Sequence, residues 1–231
     1  MSTAAIIVAG GCSRRMGRDK LSLPLTANSQ RTVLGHVVAT AAGVADWIWL
    51  LGPALNHTGL ASRNRYTHAV VGAAQAGQGL PAELAMEVIA DEQPYQGPLV
   101  ALAHGWMRMM RSPVPPPDWI WVLAGDLPGV QVEVLQTLAQ ALQSAGEGVD
   151  AVLAQRAGHW QPLLGCYRWT AGTAFVHAHA AGQRRLFAAL EQLTLWGVDG
   201  LALGWPDWWL RPVHTPKDYQ EWLDHGDQRL H

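Results

Sequence analysis

The sequence has few cysteines and few charged residues for its length. Its 231 residues include only two cysteines, Cys12 and Cys166, which fit no metal-ligand spacing and cannot form a disulfide framework in a chain this long. Charged residues make up 15% of the chain, against about 25% in an ordinary globular domain, whereas 49% of the residues are hydrophobic. This composition excludes a disordered chain and indicates a globular protein in a reducing compartment.

Two further absences concern the partners of the protein. The 16 basic and 18 acidic residues leave a net charge of −2, which gives no overall attraction to nucleic acid or to an anionic membrane. No window of about 20 residues is free of charges and turn signals, and the first residues lack the positive charge that begins a signal peptide. We therefore expect a cytoplasmic protein whose partners are neither nucleic acids nor membranes.

Apolar runs with strand composition alternate with helical segments along the chain. Predicted strands cover residues 4–9, 47–51, 86–90, 119–124, 149–154 and 163–167. Predicted helices cover residues 32–42, 99–110, 132–144, 171–180 and 183–193, and Thr215 and Pro216 open a last helix. This alternation predicts an α/β fold with one doubly wound, mostly parallel sheet and helices on both faces. The length fits a single domain over residues 1–231, and residues 56–81 are assigned to no element.

A glycine-rich segment follows the first predicted strand directly. Gly10, Gly11 and Gly17 allow backbone N–H groups to approach an anion closely. Four cationic side chains lie in the same segment, namely Arg14, Arg15, Arg18 and Lys20. The segment matches neither the Walker A pattern nor the dinucleotide GxGxxG fingerprint. Because α/β folds bind ligands at the carboxyl ends of their strands, we predict a polyphosphate site here rather than a turn with solvated arginines.

Asp126 closely follows the hydrophobic strand predicted over residues 119–124. A carboxylate in such a place cannot stay buried without a cation beside it. Mg²⁺ usually binds one or two carboxylates together with phosphate oxygens and water, so a single aspartate facing a triphosphate is adequate. Asp126 is therefore the predicted metal ligand, and the alternative is a side chain that only caps the strand. Transfer chemistry at a phosphate also needs positioned cations, and Lys20 and Arg15 are the predicted catalytic cations.

The stretch from Val8 to Lys20 resembles the signature loop of the molybdenum cofactor guanylyltransferases, within the MobA-like nucleotidyltransferase superfamily. Further matching stretches follow in the order of that family: Asp91, Gly97-Pro98-Leu99, Ala124-Gly125-Asp126-Leu127-Pro128, Gln161-Pro162-Leu163-Leu164, Gly182-Gln183-Arg184-Arg185 and His214-Thr215-Pro216-Lys217-Asp218. The resemblance therefore covers most of the chain and implies a Rossmann-like nucleotidyltransferase fold.

The resemblance also implies an activity and its ligands. It implies transfer of GMP from GTP to the phosphate of molybdopterin cofactor, with release of pyrophosphate and a requirement for Mg²⁺. It places the backbone of Val8, Ala9 and Gly10, with Gly11 in the same loop, against the nucleotide. A molybdoenzyme or a cofactor-carrier protein that accepts the product is a further candidate partner.

Asp91 is the candidate for recognition of the base. A carboxylate can accept hydrogen bonds from the N1–H and the exocyclic amine of guanine, whereas cytosine presents a different pattern of donors. The resemblance likewise implies that an aspartate here contacts the guanine nucleotide. Asp91 could also simply begin a loop.

Two other functions stay open from the sequence. A cytidylyltransferase acting on the same cofactor or on a small phosphorylated metabolite would share the fold, although Gly10-Gly11 and Asp19-Lys20 favour guanine. A nonenzymatic protein that binds the nucleotide or the cofactor would share the loop, although the presence of both Lys20 and Asp126 argues against it.

One stretch departs from the pattern of the family. Where the family usually has Asn-x-Asn-Thr-Pro, this chain has Pro212-Val213-His214-Thr215-Pro216. A neutral His214 ring could replace an amide beside the metal, and a protonated ring could instead contact phosphate. The third possibility is that His214 only lies near the start of the last helix.

Overall fold

A seven-stranded sheet forms the centre of the described part of the chain. The computed structural model describes residues 2–10, 15–53, 85–91, 96–112 and 115–226. The strands are β1 (Thr3–Val8), β2 (Trp47–Pro53), β3 (Ala85–Asp91), β4 (Trp119–Ala124), β5 (Ala151–Arg156), β6 (His159–Arg168) and β7 (Leu195–Asp199). Their spatial order is β3-β2-β1-β4-β6-β5-β7, and only β6 runs antiparallel to its neighbours. The sheet is therefore mostly parallel, as predicted.

Helices cover both faces of this sheet. Within the described residues they are α1 (Val33–Ala42), α2 (Pro98–Met109), α3 (Val132–Ser144), α4 (Gly172–Ala180), the single turn α5 (Phe187–Leu190) and α6 (Pro216–Gly226). Helix α1 begins where the Thr32 hydroxyl accepts a hydrogen bond from the Gly35 N–H at 3.0 Å. Helix α2 begins with Pro98 after Gly97, whose φ of 101° is a conformation that glycine adopts without strain. None of the helices in the described ranges is long and apolar enough to cross a membrane.

Alternate residues of the central strands enter two separate cores. Ile7 of β1 packs in one core, with side chains of α1 and α3, and Ile6 packs in the other, with side chains of α2 and α4. Both isoleucines are completely buried, so β1 is apolar on both of its faces. This arrangement confirms the predicted doubly wound fold.

The strand order reverses between β1 and β4. Strands β2 and β3 lie on one side of β1 and β4 lies on the other, so a crevice forms where β1 and β4 end. The Gly125 N–H donates to the Val8 carbonyl at 3.0 Å across this gap. A Cβ at Gly125 would lie 3.2 Å from the same carbonyl oxygen, so a small residue suits this close approach. The fold therefore brings the ends of the two motif-bearing strands together.

Helix α6 packs against the segment that follows the glycine-rich loop and forms hydrogen bonds with it. Its Tyr219 hydroxyl donates to the Pro24 carbonyl at 2.7 Å, and its Trp222 indole N–H donates to the Leu25 carbonyl at 2.6 Å. These side chains lie in a third apolar cluster, together with Met16, Leu23, Leu25, Val33 and Val213. The C-terminal helix thus holds residues 18–25 against the body of the sheet.

The structure corrects three details of the predicted elements. The helix predicted over 183–193 is only the short α5, and the strand predicted from residue 163 begins already at His159. Strand β7 was not predicted, because its short sequence contains Gly197 and its pairing depends on β5, far away in the chain. Residues 56–81 lie outside the described residues, and the single domain over 1–231 stays a prediction.

Gly172 at the start of α4 provides a test of the packing of α2 against α4. A Cβ added there would overlap the buried indole of Trp106, whose N–H donates to the Trp169 carbonyl at 3.1 Å. We expect Gly172→Ala to lower the free energy of unfolding by about 1–3 kcal/mol in urea denaturation, because the overlap outweighs the gain in helix propensity.

Gly146 is the matched control for that substitution. No atom lies within 4 Å of a Cβ built on Gly146. Gly146→Ala should therefore change the free energy of unfolding by less than about 0.5 kcal/mol. Equal effects of the two substitutions would contradict the packing described here.

Candidate active site

A cavity of about 410 Å³ opens at the carboxyl ends of β1 and β4. This volume lies within the range of about 300–1,000 Å³ that is typical of small-molecule sites. The β1 and β4 ends contribute Val8, Gly10 and Asp126 to its wall, and β6 contributes Gln161 and Pro162. Gly10 and Lys20 of the glycine-rich segment and Asp126 therefore line the same cavity.

Asp126 carries a buried carboxylate at the wall of this cavity. Only 9% of its side chain is exposed, and its Oδ2 accepts a hydrogen bond from Lys20 Nζ and lies 3.3 Å from His214 Nδ1. Burial by itself would raise the pKa of Asp126, but the interaction with His214 and the charge and hydrogen bond of Lys20 outweigh it, so the pKa lies below its ordinary value. The carboxylate is therefore ionised at neutral pH.

Lys20 is held at the cavity by a short 3-10 turn. The Asp19 carboxylate accepts from the Leu21 N–H at 3.2 Å and opens the turn Lys20–Ser22. Leu21 is 3% exposed and packs in the core beneath the cavity. This anchor keeps the Lys20 side chain, which is 14% exposed, directed at Asp126.

His214 is held by a capping arrangement at the start of α6. The Asp218 carboxylate accepts from the backbone N–H groups of His214 at 3.0 Å and Thr215 at 2.8 Å, while the Asp218 N–H donates to the Thr215 hydroxyl. Arg211 donates to Asp218 and to Glu221, at 3.3 and 2.7 Å. The imidazole of His214 is thus placed on the carboxylate side of the cavity.

Some of the other predicted site residues line the cavity, and others do not. Val8 and Gly10 line the cavity, whereas Ala9 is fully buried and its N–H donates to the Leu51 carbonyl at 2.7 Å. Arg15 is exposed and is not among the residues of the cavity wall. Asp91 is the last residue of β3, opposite Pro53. The roles proposed for these residues stay predictions, and Gly11 and Arg14 lie outside the described ranges.

Two residues of the wall with polar side chains, Gln161 and His214, were absent from the predicted set. Gln161 enters from β6, which has Pro162 inside it, and a proline within a strand is a signal of an unusual position. His214 drew attention only as a departure from the family pattern, and its contact with Asp126 depends on how α6 docks. Arg18, in contrast, lies 5.6 Å from the centre of the Tyr219 ring and contributes to packing.

Comparisons with known proteins identify the family of this chain. Residues 5–193 match the family model described as the MobA-like NTP transferase domain. A probable molybdenum cofactor guanylyltransferase of Synechococcus elongatus is 32% identical over 222 residues, which are 95% of this chain and 97% of that relative. The match thus extends over nearly the whole of both proteins.

Solved structures share the fold at lower sequence identity. The molybdopterin-guanine dinucleotide biosynthesis protein A of Archaeoglobus fulgidus has a TM-score of 0.67 and 16% identity, over 97% of this chain and 99% of that one. The 4-diphosphocytidyl-2C-methyl-D-erythritol synthase of Anaerococcus prevotii has a TM-score of 0.68 and 12% identity, over 98% and 96%. The Rossmann-like α/β fold is thereby confirmed, and the fold by itself does not select the base.

Asp218 provides a test of the segment that carries His214. Burial acts to raise the pKa of Asp218, but its hydrogen bonds from Thr215, His214 and Arg211 outweigh this and the pKa is lowered. Asp218→Ala should lower the free energy of unfolding by about 1 kcal/mol at neutral pH, as for the loss of a helix cap. Because the folded pKa is depressed, this difference should be constant above about pH 5 and shrink as the pH falls below about 4.

The control for that experiment is Asp224→Ala on the same helix. Asp224 is exposed, and within the described part of the chain it accepts a hydrogen bond from Gln220 of the same helix at 2.9 Å. Its loss should change the free energy of unfolding by less than about 0.5 kcal/mol. A difference for Asp218→Ala that grows as the pH falls would contradict the assignment.

Proposed function

The chain belongs to the MobA-like NTP transferase family, and from that premise we propose that it transfers GMP from GTP to the phosphate of molybdopterin cofactor, releasing pyrophosphate. The observation that carries the proposal is the cavity between β1 and β4, where Lys20 and an ionised Asp126 meet. A charged pair at the place where the strand order of an α/β sheet reverses suits a ligand with several phosphates.

The reaction forms one bond and breaks another at the α-phosphorus of GTP. An oxygen of the cofactor phosphate attacks, and the oxygen that bridges to the β-phosphate leaves with pyrophosphate. A terminal phosphate has a second pKa of about 6, so its oxygen is already anionic at neutral pH and needs no general base. Asp126, whose pKa is depressed, is correspondingly not a proton acceptor in this proposal.

The chain supplies position and charge. The ammonium of Lys20 lies at the cavity wall and would offset the negative charge that develops on the phosphate oxygens. Leu127, Pro162 and Leu163 give the cavity apolar walls, which exclude water and strengthen that interaction. Exclusion of water also protects GTP from hydrolysis, because the cofactor phosphate then has no competitor for the α-phosphorus.

Asp126 is the residue that would hold Mg²⁺. Its carboxylate is ionised and lies at the cavity wall, and oxygen donors of this kind suit the ion. Bound there, Mg²⁺ would supply charge stabilisation to the triphosphate oxygens. Because Lys20 also contacts Oδ2 of Asp126, the proposal requires the ammonium to turn from the carboxylate to the phosphates when nucleotide binds.

The choice of base is the first test of the proposed function. Titration calorimetry in the presence of Mg²⁺ should show GTP binding at least tenfold more tightly than CTP or ATP, a difference of about 1.4 kcal/mol. Asp91→Asn should weaken GTP binding more than it alters the response to Mg²⁺. Equal affinity for GTP and CTP would contradict the assignment of guanine as the base.

A second test separates the roles of Asp126 and Lys20. Asp126→Ala should abolish pyrophosphate release together with its dependence on Mg²⁺. Lys20→Ala should keep that dependence and lose at least 10²-fold in rate, or about 2.7 kcal/mol, as expected for one preorganised charge at the transition state.

Lys217 offers the control for this pair of variants. It is exposed and lies 3.7 Å from Glu221 on the outer side of α6. Lys217→Ala should therefore leave the rate unchanged. Near-normal turnover of Asp126→Ala would remove the metal role from that residue.

A further inference from the structure

Two imidazole rings meet between α2 and α4, away from the proposed active site. His104 of α2 and His179 of α4 place their Nε2 atoms 3.2 Å apart, with ring centroids 4.9 Å apart and an interplanar angle of 86°. Neither residue belongs to the cavity wall. The function proposed above therefore leaves this pair unexplained.

The distances show how the two rings face each other. If the edge of one ring pointed at the centre of the other, the nitrogen atoms would lie farther apart than the observed contact. A straight N–H···N hydrogen bond of this length would put the centroids about 5.5 Å apart, whereas two rings that point at one shared ion have centroids about 5 Å apart. The observed 4.9 Å matches the convergent arrangement.

The separation of the nitrogen atoms also matches metal coordination. Two Zn–N bonds of about 2.05 Å at a tetrahedral angle place the nitrogens about 3.3 Å apart. The two Nε2 atoms lie 3.2 Å apart, so one ion could bind both of them, in place of the hydrogen bond, without movement of either helix. Binding would then cost little reorganisation of the protein.

The helices that carry the pair are packed tightly around it. Trp106 of α2 lies 5.4 Å, centroid to centroid, from Phe175 of α4, and both side chains are almost completely buried. Gly172 of α4 lies so close to Trp106 that an added Cβ would overlap the indole. This packing holds the backbones of His104 and His179 at a fixed separation.

We propose that His104 and His179 bind one divalent transition-metal ion of the zinc, nickel and copper class. Imidazole nitrogens suit these ions, whereas Mg²⁺ prefers oxygen. Within the described ranges no cluster of three or more His, Cys, Asp or Glu residues could hold a metal, so the two imidazoles are the ligands that these ranges supply. A site with two imidazole ligands should bind zinc less tightly than a structural site with four protein ligands.

The place of the pair gives the bound ion a structural effect. His104 lies one turn beyond Ala101, and Ala101 and Pro98 of the same helix line the cavity. An ion shared with His179 ties this wall of the cavity to α4. Binding should therefore raise the melting temperature of the protein.

The test is a calorimetric titration of the full chain with Zn²⁺, after treatment with EDTA and dialysis into excess Mg²⁺. The wild type should bind one ion, and both His104→Gln and His179→Gln should bind it at least tenfold more weakly. His177→Gln is the matched control, because His177 is exposed and two residues along α4 point to different faces of the helix. This control should keep the wild-type isotherm and the rise in melting temperature.

Two results would overturn the proposal: absence of Zn²⁺ binding by the wild type, or unchanged binding by either glutamine variant. A second measurement needs no variant, since Zn²⁺ should shift the NMR signals of two imidazoles and leave the other histidines unchanged. Shifts confined to other histidines would also overturn it. None of these measurements depends on nucleotide, so they are independent of the proposed transferase function.

Discussion

A charged carboxylate at the end of an apolar strand is the constraint around which the site is built. Asp126 follows β4, a strand whose residues are almost all buried, and its own side chain is 9% exposed. Such a charge is tolerated only with partners, and loss of one partner of a buried pair typically costs about 3–5 kcal/mol. The partners are Lys20, which lies 106 residues earlier in the chain, and His214 near its end. The carboxylate of Asp126 therefore contacts two segments that are distant from it in the sequence, and all three segments line a single cavity.

The last part of the chain contributes directly to that cavity. The family match ends at residue 193, yet His214 touches Asp126, and α6 holds the residues around Lys20 through Tyr219 and Trp222. The Val213 N–H also donates to the Asp126 carbonyl at 2.9 Å, so backbone and side chain of Asp126 both meet this segment. His214, which lies where the sequence departs from the expected family pattern, places its imidazole beside the carboxylate. This segment therefore contacts the side chain that we propose holds Mg²⁺.

Local sequence patterns predicted much of this structure. The features that were not predicted depend on contacts between residues that are distant in the sequence. The apolar run before Asp126 and the Thr215-Pro216 helix start are readable because each depends on neighbouring residues. The edge strand β7 was missed because its pairing with β5 is a tertiary property. The same holds for His104 and His179, which are 75 residues apart and meet only because α2 packs against α4. The predicted roles of Asp91 in recognition of the base and of Arg15 in catalysis still rest on the sequence.

We propose that nucleotide and metal meet at Asp126 in the cavity between β1 and β4. A crystal structure with Mn²⁺ and a GTP analogue that cannot be cleaved at the α-phosphate would locate both ligands, because Mn²⁺ is visible by its anomalous scattering. We expect an anomalous peak about 2.1 Å from an oxygen of Asp126, with the triphosphate in the cavity and the Lys20 ammonium turned to a phosphate oxygen. A peak away from Asp126, or an analogue bound outside the cavity, would contradict it.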